Sequence, residues 1–198
     1  NDYRTWNNFN NESWPADYLV DSTGTIREVT LGEGNYPQFE NLIRQLLVAA
    51  EPSVVLPPST DVADTTPTSR DQTPETYLGA ARAQTYVDAP LAAGQAMFTE
   101  PPALPDDKFA LAGTWQVTDE SITAGPGAVI ILNYHADDIY LDVGGTGTIT
   151  ATVDGATTSY PVSGAPNIYT VLHRTTEDHG TLRVTLSPGL SAYSFTFG

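Results

Sequence analysis

The hydrophobic positions change period along this chain, from a mixed pattern at the start to an almost unbroken alternation at the end. Ala16–Asp21 is a short apolar run, closed by the turn signal Ser22-Thr23-Gly24. Thr25–Leu31 then resumes with Ile26, Val29 and Leu31 in rough strand phase, so the two runs predict a β-hairpin. Gly32-Glu33-Gly34 breaks it, and a helix is predicted from near Asn35 with Pro37 in its first turn. Phe39, Leu42, Ile43, Leu46 and Leu47 fall on one stripe of that helix.

From about Glu51 to Thr73 the periodicity stops. Pro52, Pro57, Pro58 and Pro67 sit among Ser, Thr and Asp, which reads as a linker with little to bury. Thr73-Pro74-Glu75 looks like a helix start, Thr as N-cap and Pro at the first helical position, and predicts a short helix through about Thr85.

Beyond about Tyr86 strand signals recur at roughly ten-residue spacing. They are 113–119, 128–134, 138–143, 148–154, 156–162, 167–173, 181–186 and 192–197. Asp154-Gly155 is a strong two-residue hairpin turn, because a type I′ turn needs positive φ at both central positions. Alternation orients the strands. Ile139, Leu141 and Val143 share one face, as do Ile149, Ala151 and Val153, then Leu182, Val184 and Leu186, then Tyr193, Phe195 and Phe197. The expected architecture is an α+β portion over 1–50, a Pro-rich linker over 51–73 and an antiparallel β-sandwich or jelly roll over 74–198.

Composition narrows the chemistry. With no Cys in 198 residues there is no disulfide, no thiolate nucleophile and no thiolate metal site. Twenty-four acidic and eight basic residues give a net charge of −16, which repels nucleic acid and supplies no basic stripe to bind it. No run approaches the ~18 apolar residues of a membrane span. The first residue is Asn1 rather than Met, which reads as a processed, cut or partial chain.

The opening portion carries a connected set of motifs: Trp6-Asn7, Trp14-Pro15-Ala16-Asp17-Tyr18-Leu19-Val20-Asp21, Gly24-x-Ile26-Arg27, Gly32-Glu33-Gly34-x-Tyr36 and Glu40-x-x-Ile43-Arg44-x-Leu46-Leu47. It resembles the closing part of the thioredoxin-like domain of DipZ-type proteins, a membrane-anchored thiol–disulfide and cytochrome c biogenesis group. Thr73-Pro74-Glu75-Thr76-Tyr77-Leu78-Gly79 and the closing β region resemble the extension of the actinobacterial members, thought to be a carbohydrate-binding module. The resemblance implies an extracytoplasmic location and a membrane-anchored parent; no cofactor is expected. It also implies that Trp14-Pro15 is the cis-proline wall of a redox site. The opening β-α-β portion that would hold a CxxC is missing, so this polypeptide alone is expected to be inactive, with the absent portion or a companion chain as partner. That leaves a hairpin edge and an apolar helix face to be covered by another chain or by the β domain.

On the residues alone, Pro15 opening a strand is ordinary, Trp14 reads equally as core, and Glu33 between two glycines reads as an exposed turn. His135, His173 and His179 lack ligand spacing. Asp137, Asp138 and Asp142 are oxygen-ligand types without the pattern of a dedicated calcium loop, so no metal is expected. No pair of carboxylates is marked as opposed, and no Ser sits in a nucleophile elbow. Aromatics carry the one positive binding argument, since sugar C–H faces stack on Tyr and Trp while Asp and Thr bond hydroxyls. Trp115, Tyr193, Phe195 and Phe197 fall on core phases, whereas Tyr140 and Asp142 are left outside by their neighbours. Tyr134 and Tyr169 are the candidate companions in a carbohydrate site. The alternative is a structural β domain that packs on the thioredoxin part or mediates oligomerisation.

Overall fold

The computed structural model describes residues 4–60, 62, 63 and 72–198. They fall into two compact units, Asn1–Arg70 and Asp71–Gly198.

The first unit opens with one helical turn, α1 (Arg4–Asn8), followed by β1 (Ala16–Val20) paired antiparallel with β2 (Ile26–Leu31). Asp21 organises the turn between the strands. Its carboxylate accepts the Thr23 hydroxyl at 2.6 Å, the Thr23 and Thr25 N–H groups at 2.8 and 3.0 Å, and Arg27 Nε at 2.6 Å. The Thr23 hydroxyl, then the Thr25 N–H and Arg27, hold that carboxyl far below the usual range. Helix α2 (Tyr36–Ala50) follows with Pro37 in its first turn. None of its residues is buried: Phe39, Leu42, Ile43 and Leu46 are half-buried and Leu47 is exposed. What lies over that face is the Pro-rich segment itself, which the sequence presents as a free linker.

The second unit is all β among its described residues. Its strands are β3 (Thr76–Tyr77), β4 (Gly94–Phe98), β5 (Phe109–Val117), β6 (Ile122–Ala124), β7 (Val129–Val153), β8 (Ala156–Leu186) and β9 (Ser191–Phe197). All named pairings are antiparallel. Two long strands serve both layers of a β-sandwich. Residues 129–132 of β7 pair with β5 and 129–136 with 178–185 of β8, while 139–144 pair with β9 and 138–143 with 167–173 of β8. Strand β6 links β5 to β9. Phe109, Trp115, Leu132 and Val184 from the first layer and Ile139, Leu141 and Phe195 from the second belong to one hydrophobic cluster.

Three expectations need correction. The helix over 73–85 does not form. Thr73 is buried and used elsewhere: its hydroxyl donates to Asp107 at 2.6 Å and accepts the His135 N–H at 2.7 Å, and its own N–H donates to the His135 carbonyl. Tertiary hydrogen bonding thus overrides a local capping preference, and Thr76–Tyr77 pairs with β9 instead. The separate strands over 128–162 and 167–186 merge into β7 and β8, because cross-strand pairing continues with register shifts through the stretches between them, and Gly144-Gly145-Thr146-Gly147 bends β7 rather than ending it. Gly145, at φ +114, makes such a bend, and a Cβ on Gly144 would meet Pro166. Tyr193 leaves the core. Leu141 pairs with Phe195 but Val143 with Ala192, so β9 carries one extra residue there and the inward phase passes to Ala192.

Candidate functional site

In the first unit the Trp14–Pro15 peptide is cis, and the Pro15 carbonyl accepts the Gly32 N–H at 2.8 Å. That bond ties the loop holding Glu33 to the mouth of β1. Trp14 is 76% exposed, its ring edge-on to Trp6 at 5.2 Å. It is therefore an exposed aromatic face, not core. Tyr36 donates its hydroxyl to Glu33 at 2.6 Å, so Glu33 is a held turn residue.

In the second unit the outer face of β7 presents Asp138, Tyr140 and Asp142. Ile139, Leu141 and Val143 between them are fully buried, as their alternation requires. Tyr140 lies opposite Thr196 on one side and Thr170 on the other, and Asp142 lies opposite Ile168. Tyr140 donates its hydroxyl to Asp138 at 3.2 Å, and the other Asp138 oxygen is 2.6 Å from His173 Nδ1. Thr196 donates to Glu75 at 2.7 Å. Asp142 differs from its neighbours: no described residue bonds its carboxylate, and burial pushes its pKa up. Ile168 beside it is 61% exposed. A half-buried carboxylate next to an aromatic ring and an exposed apolar side chain can accept hydrogen bonds from a ligand that also offers a C–H face.

The companions inferred for Tyr140 do not join it. Tyr134 is buried in the core, where burial and then the charge of Asp178 raise its pKa. The alternation Ile130, Leu132, Tyr134 already carried that signal. Tyr169 lies opposite the buried Leu141, so its ring points to the inner side and packs on the core. Only the cross-strand register reveals this.

A family model described as thioredoxin like C-terminal domain matches residues 73–198. The chain belongs to that family. Over its whole length it is similar to a DipZ-type C-terminal region: it is 44% identical over 202 residues to Protein DipZ of Mycobacterium bovis, and equally to Protein DipZ of Mycobacterium tuberculosis. Each alignment takes in 100% of this chain and 29% of the relative, so the chain spans less than a third of the length of those proteins. Among solved structures, a family two carbohydrate esterase from Cellvibrio japonicus aligns with a TM-score of 0.42 at 13% identity, covering 54% of this chain and 33% of that one. That likeness is too weak to argue from.

The family's β unit also brings together residues that spacing did not. His135 and His179 lie opposite each other on β7 and β8, with rings stacked 3.8 Å apart, and His135 Nε2 pairs with Glu177. Among the described residues no group of three or more His, Cys, Asp or Glu is arranged to hold a metal ion. No helix among them is long and apolar enough to cross a membrane.

Proposed function

We propose that this chain is the C-terminal part of an extracytoplasmic, membrane-anchored thiol–disulfide oxidoreductase of the DipZ type. In this reading residues 1–50 complete a thioredoxin-like domain, and 74–198 form a module that binds cell-envelope carbohydrate. The observation that carries the first half is the 44% identity to DipZ along the whole of this chain, which spans 29% of that relative. The exposed Trp14 beside Pro15 supports it, since a redox site that handles protein substrates needs an accessible apolar wall there. With no cysteine, the chain contributes that wall and not the attacking thiolate. The thiols come from another portion of the protein or a companion chain.

The carbohydrate half rests on the Tyr140 face. It combines a ring, the unbonded Asp142 carboxylate and hydroxyls of Thr170 and Thr196 on one outward surface. A charge of −16 disfavours strongly anionic glycans within the Debye length of ~8 Å, so the expected ligand is neutral or weakly basic. Binding is expected to be weak, since a shallow face exchanges water bonds for protein bonds at little net gain.

Two measurements test the proposal. Insulin reduction by the pure 198-residue chain is expected at background. In a longer protein that holds a CxxC, Trp14→Ala should lower turnover of protein substrates, and unchanged turnover would remove Trp14 from the site. Calorimetric titration with neutral and amino-bearing envelope oligosaccharides should show binding that Tyr140→Ala abolishes. Binding untouched by Tyr140→Ala moves the site elsewhere; no binding at all leaves the structural β-domain reading in its place.

A further inference from the structure

The Pro-rich segment after α2 is bound along the helix it follows. The Glu51 carboxylate accepts the Ser53 hydroxyl and the Ser53 N–H, and the Val54 N–H closes the turn on the Glu51 carbonyl at 3.0 Å. That turn sends the chain back along α2. Arg44 Nη1 then donates to the Pro57 carbonyl at 2.8 Å. Glu40 accepts the Thr60 N–H at 3.1 and 3.2 Å on its two oxygens, and the Thr60 hydroxyl as well. The pairings 44 with 57 and 40 with 60 show the segment running antiparallel to the helix. Arg44 and Glu40 also bond each other at 2.7 and 2.8 Å, so the two anchors hold one another in place before a peptide arrives.

The segment has an inside and an outside. Val54 and Leu56 are half-buried while Val55 between them is 92% exposed. Leu56, Pro57 and Pro58 share with Phe39, Ile43 and Leu47 the lining of a cavity of about 360 Å³. Pro57 and Pro58 suit such a groove for two reasons. Neither has an N–H, so the helix side must satisfy only carbonyls there, which an arginine does. Both also have φ fixed before binding, and Leu56 and Pro57, each followed by a proline, are biased to extended backbone, which reduces the entropy lost on docking.

We propose that the groove along α2 is a recognition site for an extended proline-containing peptide with a hydroxyl-bearing residue three positions after its first proline, and that residues 54–60 occupy it in cis. Arg44 reads the proline carbonyl, Glu40 reads the hydroxyl and its backbone N–H, and the apolar wall takes the leucine. Covalent tethering gives the cis segment an effective concentration near the millimolar range, so it excludes a free peptide of equal affinity. This inference uses α2, which the redox reading places in its thioredoxin-like portion, but none of Trp14, Pro15 or the Tyr140 face, so its test is separate from theirs.

A fluorescent peptide with the sequence of residues 53–60 tests it on the 198-residue chain. The wild-type chain should leave the peptide's anisotropy unchanged, because the groove is filled. A chain released by Leu56→Asp with Thr60→Ala should bind it. Adding Glu40→Gln and Arg44→Gln to the released chain should weaken that binding about tenfold or more, the scale of lost charge-assisted bonds. Hydrogen exchange supplies the second reading: the Thr60 amide should be protected in the wild type and unprotected in Glu40→Gln. A released chain that keeps its circular dichroism yet binds no peptide overturns the proposal, as does an unprotected Thr60 amide in the wild type. Protection that appears only in a concentration-dependent dimer would assign the groove to the segment of a second copy, and the cis occupancy would fall.

Discussion

The two units bury their apolar residues to very different degrees. Among the described residues every buried hydrophobic residue lies at or beyond Leu78, and none before Thr73 is buried at all. The second unit closes two layers on each other and encloses Trp115, Tyr134 and Phe195. Among its described residues the first has one hairpin, the single turn α1, the helix α2 and a peptide strap, and leaves Val20, Ile26, Val29 and Leu31 exposed. A layer with no opposing layer cannot desolvate its side chains, however regular its hydrophobic pattern. Amphipathic periodicity therefore marks which face seeks a partner, not whether one is present.

The sharpest way to break this comparison is truncation on each side of it. Leu141→Ala should cost the second unit about 3–5 kcal/mol, as a fully enclosed leucine leaves a cavity. Ile43→Ala in α2 should cost no more than about 1 kcal/mol, since Ile43 is only half-buried. Urea unfolding followed by fluorescence separates the two, because Trp115 is buried in the second unit while Trp14 is exposed in the first. Comparable losses would contradict the difference. A smaller effect is expected at Thr73. Thr73→Val removes the hydroxyl between Asp107 and the His135 N–H and should destabilise the second unit by about 1–3 kcal/mol. Thr60→Val should leave that unit's transition unchanged.

Acidity sharpens the comparison further. The Asp142 carboxyl is raised above its unfolded value of 3.8 by burial, so its charged form is the disfavoured one. The penalty is absent below the unfolded pKa and complete once pH has risen through the folded pKa. Asp142→Asn should therefore stabilise the second unit at neutral pH, by under ~1 kcal/mol after solvent screening, and lose that advantage below about pH 4. A destabilising Asp142→Asn at pH 7 would mean the carboxylate has a structural role. Glu40 has the opposite sign. Its pKa falls from 4.5 to about 2, first through the Thr60 hydroxyl and then through Arg44. Its contribution is full above the unfolded value and disappears as pH falls through about 2, so Thr60 amide protection should persist at pH 4 and vanish near pH 2. Loss of protection already at pH 5 would show that Glu40 does not hold the strap.

Strand chemistry was legible where it depends on the chain's own geometry. Asp154 and Gly155 take φ of 51° and 78° and join Val153 to Ala156, as a two-residue turn of that composition demands. Ile139, Leu141 and Val143 alternate inward and leave Tyr140 outside. Strands β3, β4 and β6 were not legible, because they are short or, in β4, exposed along most of their length, and only their pairing holds them. The strap was hidden for a related reason. Proline and serine carry no periodicity, so nothing in residues 54–60 announces that Glu40 and Arg44 complement their backbone.

Sequence by itself determined the hairpin and helix of the first unit, the Asp154-Gly155 turn and the sidedness of Ile139, Leu141 and Val143, along with the lack of thiol chemistry and the sign of the net charge. Those properties depend on side-chain period, turn sterics and composition, all of which act within a few residues. Tertiary structure decided what depends on distant partners. It bent β7 and β8 between two layers, and it took Thr73 from a helix cap to bond Asp107 and His135. It turned Tyr169 inward and Tyr193 out of the core, and it placed the Pro-rich segment on α2. Each of these outcomes rests on a hydrogen bond or a register between residues far apart in the chain, and local periodicity carries no record of such pairings.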